Sequence, residues 1–224
     1  MQQEWVIFDL DGTLVESEQI WRDVRRDFVM KHGGRWHDGA QATMIGMRTA
    51  EWARYIHDDL GVALDAKVII DDVVTGVIAR LSSGIPLLPG AQAALERLAG
   101  AFTLGLATSA NSAVAKTVLA KTGWGKVFAV VVSADEVARG KPAPDVYVRA
   151  VELLNADATR TAAVEDSANG IRSAHAARLG VVAIPNHEFP PDDSALSLAS
   201  CVLPTLDDLG SDTIRRVLRE STSS

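Results

Sequence analysis

Short apolar runs at 4–9, 102–107, 127–132, 161–165 and 180–184 alternate with helix-like stretches near 90–100, 111–122, 143–155 and 167–178. Runs this short and this uniformly apolar read as strands buried on both faces, and strands separated by helices pair in parallel through right-handed crossovers. The alternation therefore predicts an α/β fold, a Rossmann-like parallel sheet with helices on both faces. Residues 16–85 break the rhythm. Trp21, Val24 and Phe28, then Trp52, Tyr55 and Ile56, recur at i, i+3, i+4-type spacings with no convincing strand between them. Ser17 is placed to cap the first of these helices, and the breaker cluster Ser82-Ser83-Gly84-Ile85-Pro86-Leu87-Leu88-Pro89-Gly90 closes the stretch. We expect residues 1–15 and 86–224 to form the α/β core and residues 16–85 a small all-helical domain inserted after the first strand. It would sit above the C-terminal strand ends, where open α/β sheets bind their ligands.

The composition narrows the class of partner. With 224 residues, 47% hydrophobic and 23% charged, the chain reads as a globular protein with a sizeable core. No stretch approaches the roughly 20 apolar residues of a membrane span. The apolar start lacks a basic leader and is cut by Asp9 and Asp11, unlike a signal peptide. A formal net charge of −7 argues against nucleic acid or an anionic membrane as partner. A small anionic substrate would need local positive charge from a metal or from a few placed Lys and Arg. The single cysteine, Cys201, precludes an internal disulfide and fits a reducing, cytoplasmic setting. The polar tail from Glu220 onward is expected to fray.

The chemistry-bearing residues stand at the ends of the predicted strands. In Trp5-Val6-Ile7-Phe8-Asp9-Leu10-Asp11-Gly12-Thr13-Leu14-Val15 an apolar run ends in two carboxylates at i, i+2. On a strand that spacing puts Asp9 and Asp11 on one side and Leu10 on the other. Gly12 lets the backbone bend and Thr13 offers a hydroxyl to hold the turn. Two like charges this close call for a cation, although an isolated Asp-x-Asp more often only starts a turn. The second strand ends in Thr108-Ser109-Ala110-Asn111, where a hydroxyl and free amides at a strand-to-helix turn suit a phosphate oxygen or simply cap a helix. Gly140-Lys141-Pro142-Ala143-Pro144-Asp145 holds a lysine in a stiffened turn. Glu165-Asp166-Ser167-Ala168-Asn169-Gly170 ends another apolar strand in adjacent acids, hard oxygen ligands of the kind Mg²⁺ takes, or a helix cap. Each signal is weak alone; their order is strong.

In that order the chain resembles the haloacid dehalogenase superfamily, specifically phosphatase-type members carrying a helical cap after the first motif, related to phosphoglycolate phosphatase and β-phosphoglucomutase. The resemblance implies a Mg²⁺-dependent phosphatase acting on a small phosphomonoester, such as a sugar phosphate, through an aspartyl-phosphate intermediate. It makes Asp9 the nucleophile and Asp11 the acid and base. Thr108, Lys141 and the backbone amides of Leu10 and Ser109 would hold the phosphoryl group. The metal would fall to Asp9, the main-chain carbonyl of Asp11, and Asp166, with Glu165 as ligand or support. Ser167 and Asn169 would orient their loop. In the cap, Gly46-Met47-Arg48 resembles the loop that presents a basic residue to substrate, and Glu16 near the hinge is a second substrate-binding candidate. The nearest alternative is a β-phosphoglucomutase-like mutase, but such enzymes typically carry a histidine at the cap hinge where this chain has Trp21. A haloacid dehalogenase proper lacks the second acid. A catalytically silent phospho-ligand-binding protein would be expected to have lost one of these residues, and all are present.

Overall fold

A computed structural model describes residues 3–221; residues 222–224, most of the tail expected to fray, lie outside the described residues. The strands are β1 (Trp5–Phe8), β2 (Thr103–Thr108), β3 (Phe128–Ser133), β4 (Thr161–Glu165), β5 (Gly180–Ala183) and β6 (Cys201–Val202). They form one parallel sheet in the order β3-β2-β1-β4-β5-β6. β1 lies at the centre, with Phe8 registered against Leu106 on one side and Val164 on the other. The strand order reverses at β1, so the C-terminal ends of β1, β2 and β4 frame the crevice of a doubly wound sheet.

Strand alternation sorts the core into two layers. Val6 and Phe8 pack on one face with α5 (Ala91–Ala99), α6 (Ser112–Thr122) and α10 (Ser211–Ser221). Ile7 packs on the other with α7 (Asp145–Leu154), α8 (Ala168–Ala176) and the single-turn α9 (Asp193–Leu196). Asn111 caps α6 by accepting from the Ala113 amide at 2.9 Å, and Ser167 caps α8 by accepting from the Gly170 amide at 3.1 Å. β6 and α10 have no counterpart in the sequence reading.

Between β1 and α5 the chain is helical: α1 (Glu18–Lys31), α2 (Ala40–Met44), α3 (Thr49–Asp58) and α4 (Ala66–Ser82). Their apolar faces form a continuous cluster through Trp21, Phe28, Trp52, Ile56, Val73 and Val77. The two linkers pair with each other. Glu16 donates its amide to the Pro86 carbonyl at 2.7 Å, and Leu88 donates to the Leu14 carbonyl at 3.0 Å. Ser17 does not cap α1 with its side chain. Its backbone is already helical (φ −97°, ψ −10°) instead of extended as at a side-chain cap, and its hydroxyl donates to Asp11.

Candidate active site

The ends of β1, β2 and β4 carry Asp9, Thr108 and Glu165, and the loop before α7 delivers Lys141 over them. Lys141 is 4% exposed. Its Nζ donates to Asp9 Oδ1 at 2.6 Å, to Glu165 Oε1 at 2.6 Å and to the Ala107 carbonyl at 3.1 Å. Burial alone would lower the lysine's pKa; the Asp9 and Glu165 carboxylates outweigh it and hold it above the ordinary value. Lys141 is therefore a fixed cation.

Glu165 is committed on both oxygens. Oε1 also accepts from Tyr147 Oη at 2.7 Å, and Oε2 accepts from the Asp166 amide at 3.2 Å and the Ser167 hydroxyl at 3.2 Å. The carboxylate fits because residue 170 is glycine, where a Cβ would meet it at 1.9 Å. Asp166 Oδ1 accepts from Thr13 Oγ1 at 2.9 Å. Gly12 stands at φ +82°, and a Cβ there would lie 2.1 Å from Asp166 Oδ2, so the turn passes close to the carboxylate only without a side chain.

Asp9, Glu165 and Asp166 each bring a carboxylate oxygen within 4.8 Å of the others, all buried. Three carboxylates thus share one ammonium. Burial pushes Asp9 well above the ordinary carboxylate range despite Lys141, with Glu165 and Asp11 adding to the rise. Burial likewise raises Asp166, with Glu165 and Asp9 adding to it. An all-oxygen pocket in which three carboxylates face one ammonium suits a hard divalent cation. Asp9 and Asp166 are the carboxylates with ligand capacity to spare, while Glu165 is spent on Lys141, Tyr147 and the loop.

Asp11 stands apart from that cluster. Its Oδ1 accepts from the Ser17 hydroxyl and from Trp21 Nε1 at 3.4 Å, and its Oδ2 lies 3.5 Å from Thr108 Oγ1. Burial raises its pKa, opposed by the bonds from Ser17 and Trp21. Thr108 is fully buried and its hydroxyl accepts from the Ala110 amide at 3.0 Å.

A cleft opens on these groups, walled by Asp9, Asp11, Ser109, Ala110, Lys141 and Ser167 from the sheet side. Glu18, Trp21, Arg25, Met44, Trp52 and the loop Ile45-Gly46-Met47 wall it from the helical side. The core clasps that loop. Ser109 Oγ donates to the Gly46 carbonyl at 2.9 Å, and Asn169 Nδ2 donates to the Ile45 carbonyl at 3.1 Å.

The remaining candidates lie outside the lining. Leu10 turns its side chain into the core. Arg48 pairs with Glu51 at 3.1 Å and reaches the Val137 carbonyl at 3.4 Å. Glu16 faces a separate hollow with Gly12, Thr13 and Leu88. The sequence reading missed Glu18, Arg25 and Gln41. Their one signal is that Arg25 follows Trp21 by four residues, on the face that should be apolar.

A sequence model of haloacid dehalogenase-like hydrolases matches residues 4–178. The chain is 28% identical over 206 residues to bifunctional riboflavin kinase/FMN phosphatase of Arabidopsis thaliana, covering 91% of this chain and 54% of that longer protein. It is 29% identical over 220 residues to hexitol phosphatase B of Escherichia coli K12, covering 91% of this chain and 92% of the relative. The structure superposes at TM-score 0.79, 26% identical, on a CbbY variant from Rhodobacter sphaeroides in complex with xylulose-(1,5)bisphosphate, covering 93% of this chain and 97% of that one. The order of acids, hydroxyl and lysine along the sheet edge and the family match over most of the chain agree: this chain belongs to the haloacid dehalogenase-like hydrolase family.

Proposed function

We propose that the chain is a Mg²⁺-dependent phosphatase that hydrolyses a small phosphomonoester of the sugar-phosphate kind, with residues 16–85 acting as the cap. The single observation that carries the reading is the division of labour between the two first-strand acids: Asp9 lies against Lys141 in the anionic cluster, whereas Asp11 lies outside it under neutral donors. The names of the hexitol phosphatase and of the ligand held by the CbbY variant support the substrate class.

In this reading an Asp9 carboxylate oxygen attacks phosphorus in line as the bond to the leaving oxygen breaks, giving an aspartyl phosphate. Asp11, whose raised pKa favours the acid form, delivers its proton to the leaving oxygen. A water then attacks the same phosphorus, Asp11 takes its proton, and the Asp9–phosphorus bond breaks to release phosphate. Lys141 and the amides at Leu10 and Ser109 are aimed at charge developing on the phosphoryl oxygens. Asp9, Asp166 and the Asp11 carbonyl would hold Mg²⁺, which when bound supplies the positive charge that keeps Asp9 ionised beside a phosphate dianion. Trp21 supports hydrolysis over the mutase alternative, since an indole donates a hydrogen bond but cannot exchange a proton with Asp11. In this reading the chain acts on a free metabolite in the cytoplasm, and its formal net charge of −7 weighs against nucleic acid or an anionic membrane as partner.

The test is phosphate release from p-nitrophenyl phosphate and a panel of phosphorylated metabolites. Turnover should require Mg²⁺, stop with chelator, and vanish in Asp9→Asn while circular dichroism shows a folded chain. Chelator-insensitive turnover, or activity retained in Asp9→Asn, refutes the reading.

A further inference from the structure

The helical wall of the cleft contains a polar group that the hydrolytic chemistry leaves unused. Arg25 is 5% exposed, yet it lies within ion-pair distance of no carboxylate among the described residues. Its guanidinium carbon sits 4.6 Å from the Trp21 ring centroid and 5.1 Å from that of Trp52. The two indoles meet edge to face at 6.2 Å. Nη1 donates to Gln41 Oε1 at 3.3 Å, and Gln41 Nε2 donates to Glu18 Oε2 at 2.8 Å. Arg25 Nε is buried without any hydrogen-bond partner. A desolvated guanidinium with an unmade bond is costly, and its pKa is lowered by that burial to about 10. Such a group persists at the wall of a polar cleft when a ligand completes it.

The ligand's chemistry follows from the neighbours. Arg25 offers donors to the cleft, while Glu18 on the same wall offers acceptor oxygens within electrostatic reach of Asp11; Gln41, behind the lining, bridges the two. A second phosphate or a carboxylate offers acceptor oxygens only and leaves the Glu18 oxygens without a donor. A hydroxyl both donates and accepts. Resting on the phosphatase reading above, we propose that Arg25, held between Trp21 and Trp52 and tied through Gln41 to Glu18, forms with Glu18 a site that reads the hydroxyls of an uncharged polyol or sugar leaving group. Bisphosphates and carboxylated phosphates are disfavoured by the same site.

Two measurements separate this proposal from the reading beneath it. In the first, kcat/KM is determined with Mg²⁺ for sorbitol 6-phosphate, xylulose 1,5-bisphosphate, phosphoglycolate and p-nitrophenyl phosphate. The native chain should prefer sorbitol 6-phosphate among the three metabolites. In Arg25→Met the ratio of kcat/KM for sorbitol 6-phosphate over p-nitrophenyl phosphate should fall about 100-fold, with partial recovery in Arg25→Lys. A ratio that stays put, or a native preference for the bisphosphate or phosphoglycolate, overturns the proposal. In the second, tryptophan fluorescence follows sorbitol 6-phosphate binding to Asp9→Asn and to Asp9→Asn/Arg25→Met. Binding weakened about 100-fold by the second substitution supports the site; absence of binding to Asp9→Asn overturns it. If that binding holds while no phosphate ester is hydrolysed by the native chain, the phosphatase reading fails and the hydroxyl site stands.

Discussion

Replacing Lys141 by Met keeps the length of the side chain and removes the ammonium that the described carboxylate cluster shares. The native Nζ makes bonds of 2.6 Å to Asp9 and 2.6 Å to Glu165, and the three side chains are 2%, 8% and 0% exposed. Two lost charge-assisted bonds at about 1.5–3 kcal/mol each come to about 3–6 kcal/mol. Breaking one partner out of a buried ion pair gives a similar figure, about 3–5 kcal/mol. The sign of the pH dependence is fixed. Lys141 has a raised folded pKa, so its contribution is fully present below the unfolded value of 10.5 and adds no slope at working pH. The slope arises from the stranded carboxylates, which relax by taking up protons as pH falls. The destabilisation should therefore be about 4 kcal/mol at pH 8 and shrink towards pH 5. Urea unfolding in the presence of chelator, followed by circular dichroism at both pH values, measures it. A loss below about 1 kcal/mol at pH 8, or one that grows as pH is lowered, refutes the reasoning. Adding Glu165→Gln to Lys141→Met should recover roughly half of the loss, because one buried charge then disappears with its partner.

Gly12→Ala should weaken activation by Mg²⁺ about tenfold in a titration of phosphate release, since the new methyl displaces Asp166. Tyr147→Phe removes a phenol, its own pKa raised by burial, that donates to Glu165, and should cost about 2 kcal/mol, read as a Tm lower by about 5 °C. Glu18 is pushed by burial from 4.5 to about 7, with Asp11 adding to the rise, so the native chain loses stability as pH rises through that window. At about 1.4 kcal/mol per pH unit, the stability of Glu18→Gln relative to the native chain should increase by up to about 3 kcal/mol between pH 4 and pH 8 in urea titrations with chelator. A pH-independent difference between the two counts against a buried, ionising Glu18.

Much of the architecture is legible one residue at a time. β1, β2, β3, β4 and β5 are apolar because a central parallel sheet is covered on both faces, and that burial leaves its mark in the composition of each run. The caps at Asn111 and Ser167 are equally local. β6 escapes because two residues at a sheet edge, Cys201 and Val202, pair through backbone alone and need no apolar run. Ser17 stands at the N-cap position of α1 but makes no side-chain cap there, and its bond to Asp11 exists only once the turn after β1 has formed. Arg25 carries a faint signal, a charge on an apolar helical face, but nothing local says whether that face meets solvent, a carboxylate or a cleft.

The sequence by itself determined the strands, the helical insertion and the order of acids, hydroxyl and lysine, since each depends on periodicity and turn chemistry within a few residues. Tertiary structure decided the assignments among them. Asp9 and Lys141 are 132 positions apart, and only the crossovers of the sheet set them 2.6 Å from each other. Glu165 is tied to Lys141 and Tyr147 by side-chain hydrogen bonds that only the tertiary structure assembles. Arg25 reached the cleft and Arg48 did not because the turn after β1 and the packing of α1 fix which way each helix faces, and hydrogen bonds across such distances have no periodicity to leave in the chain.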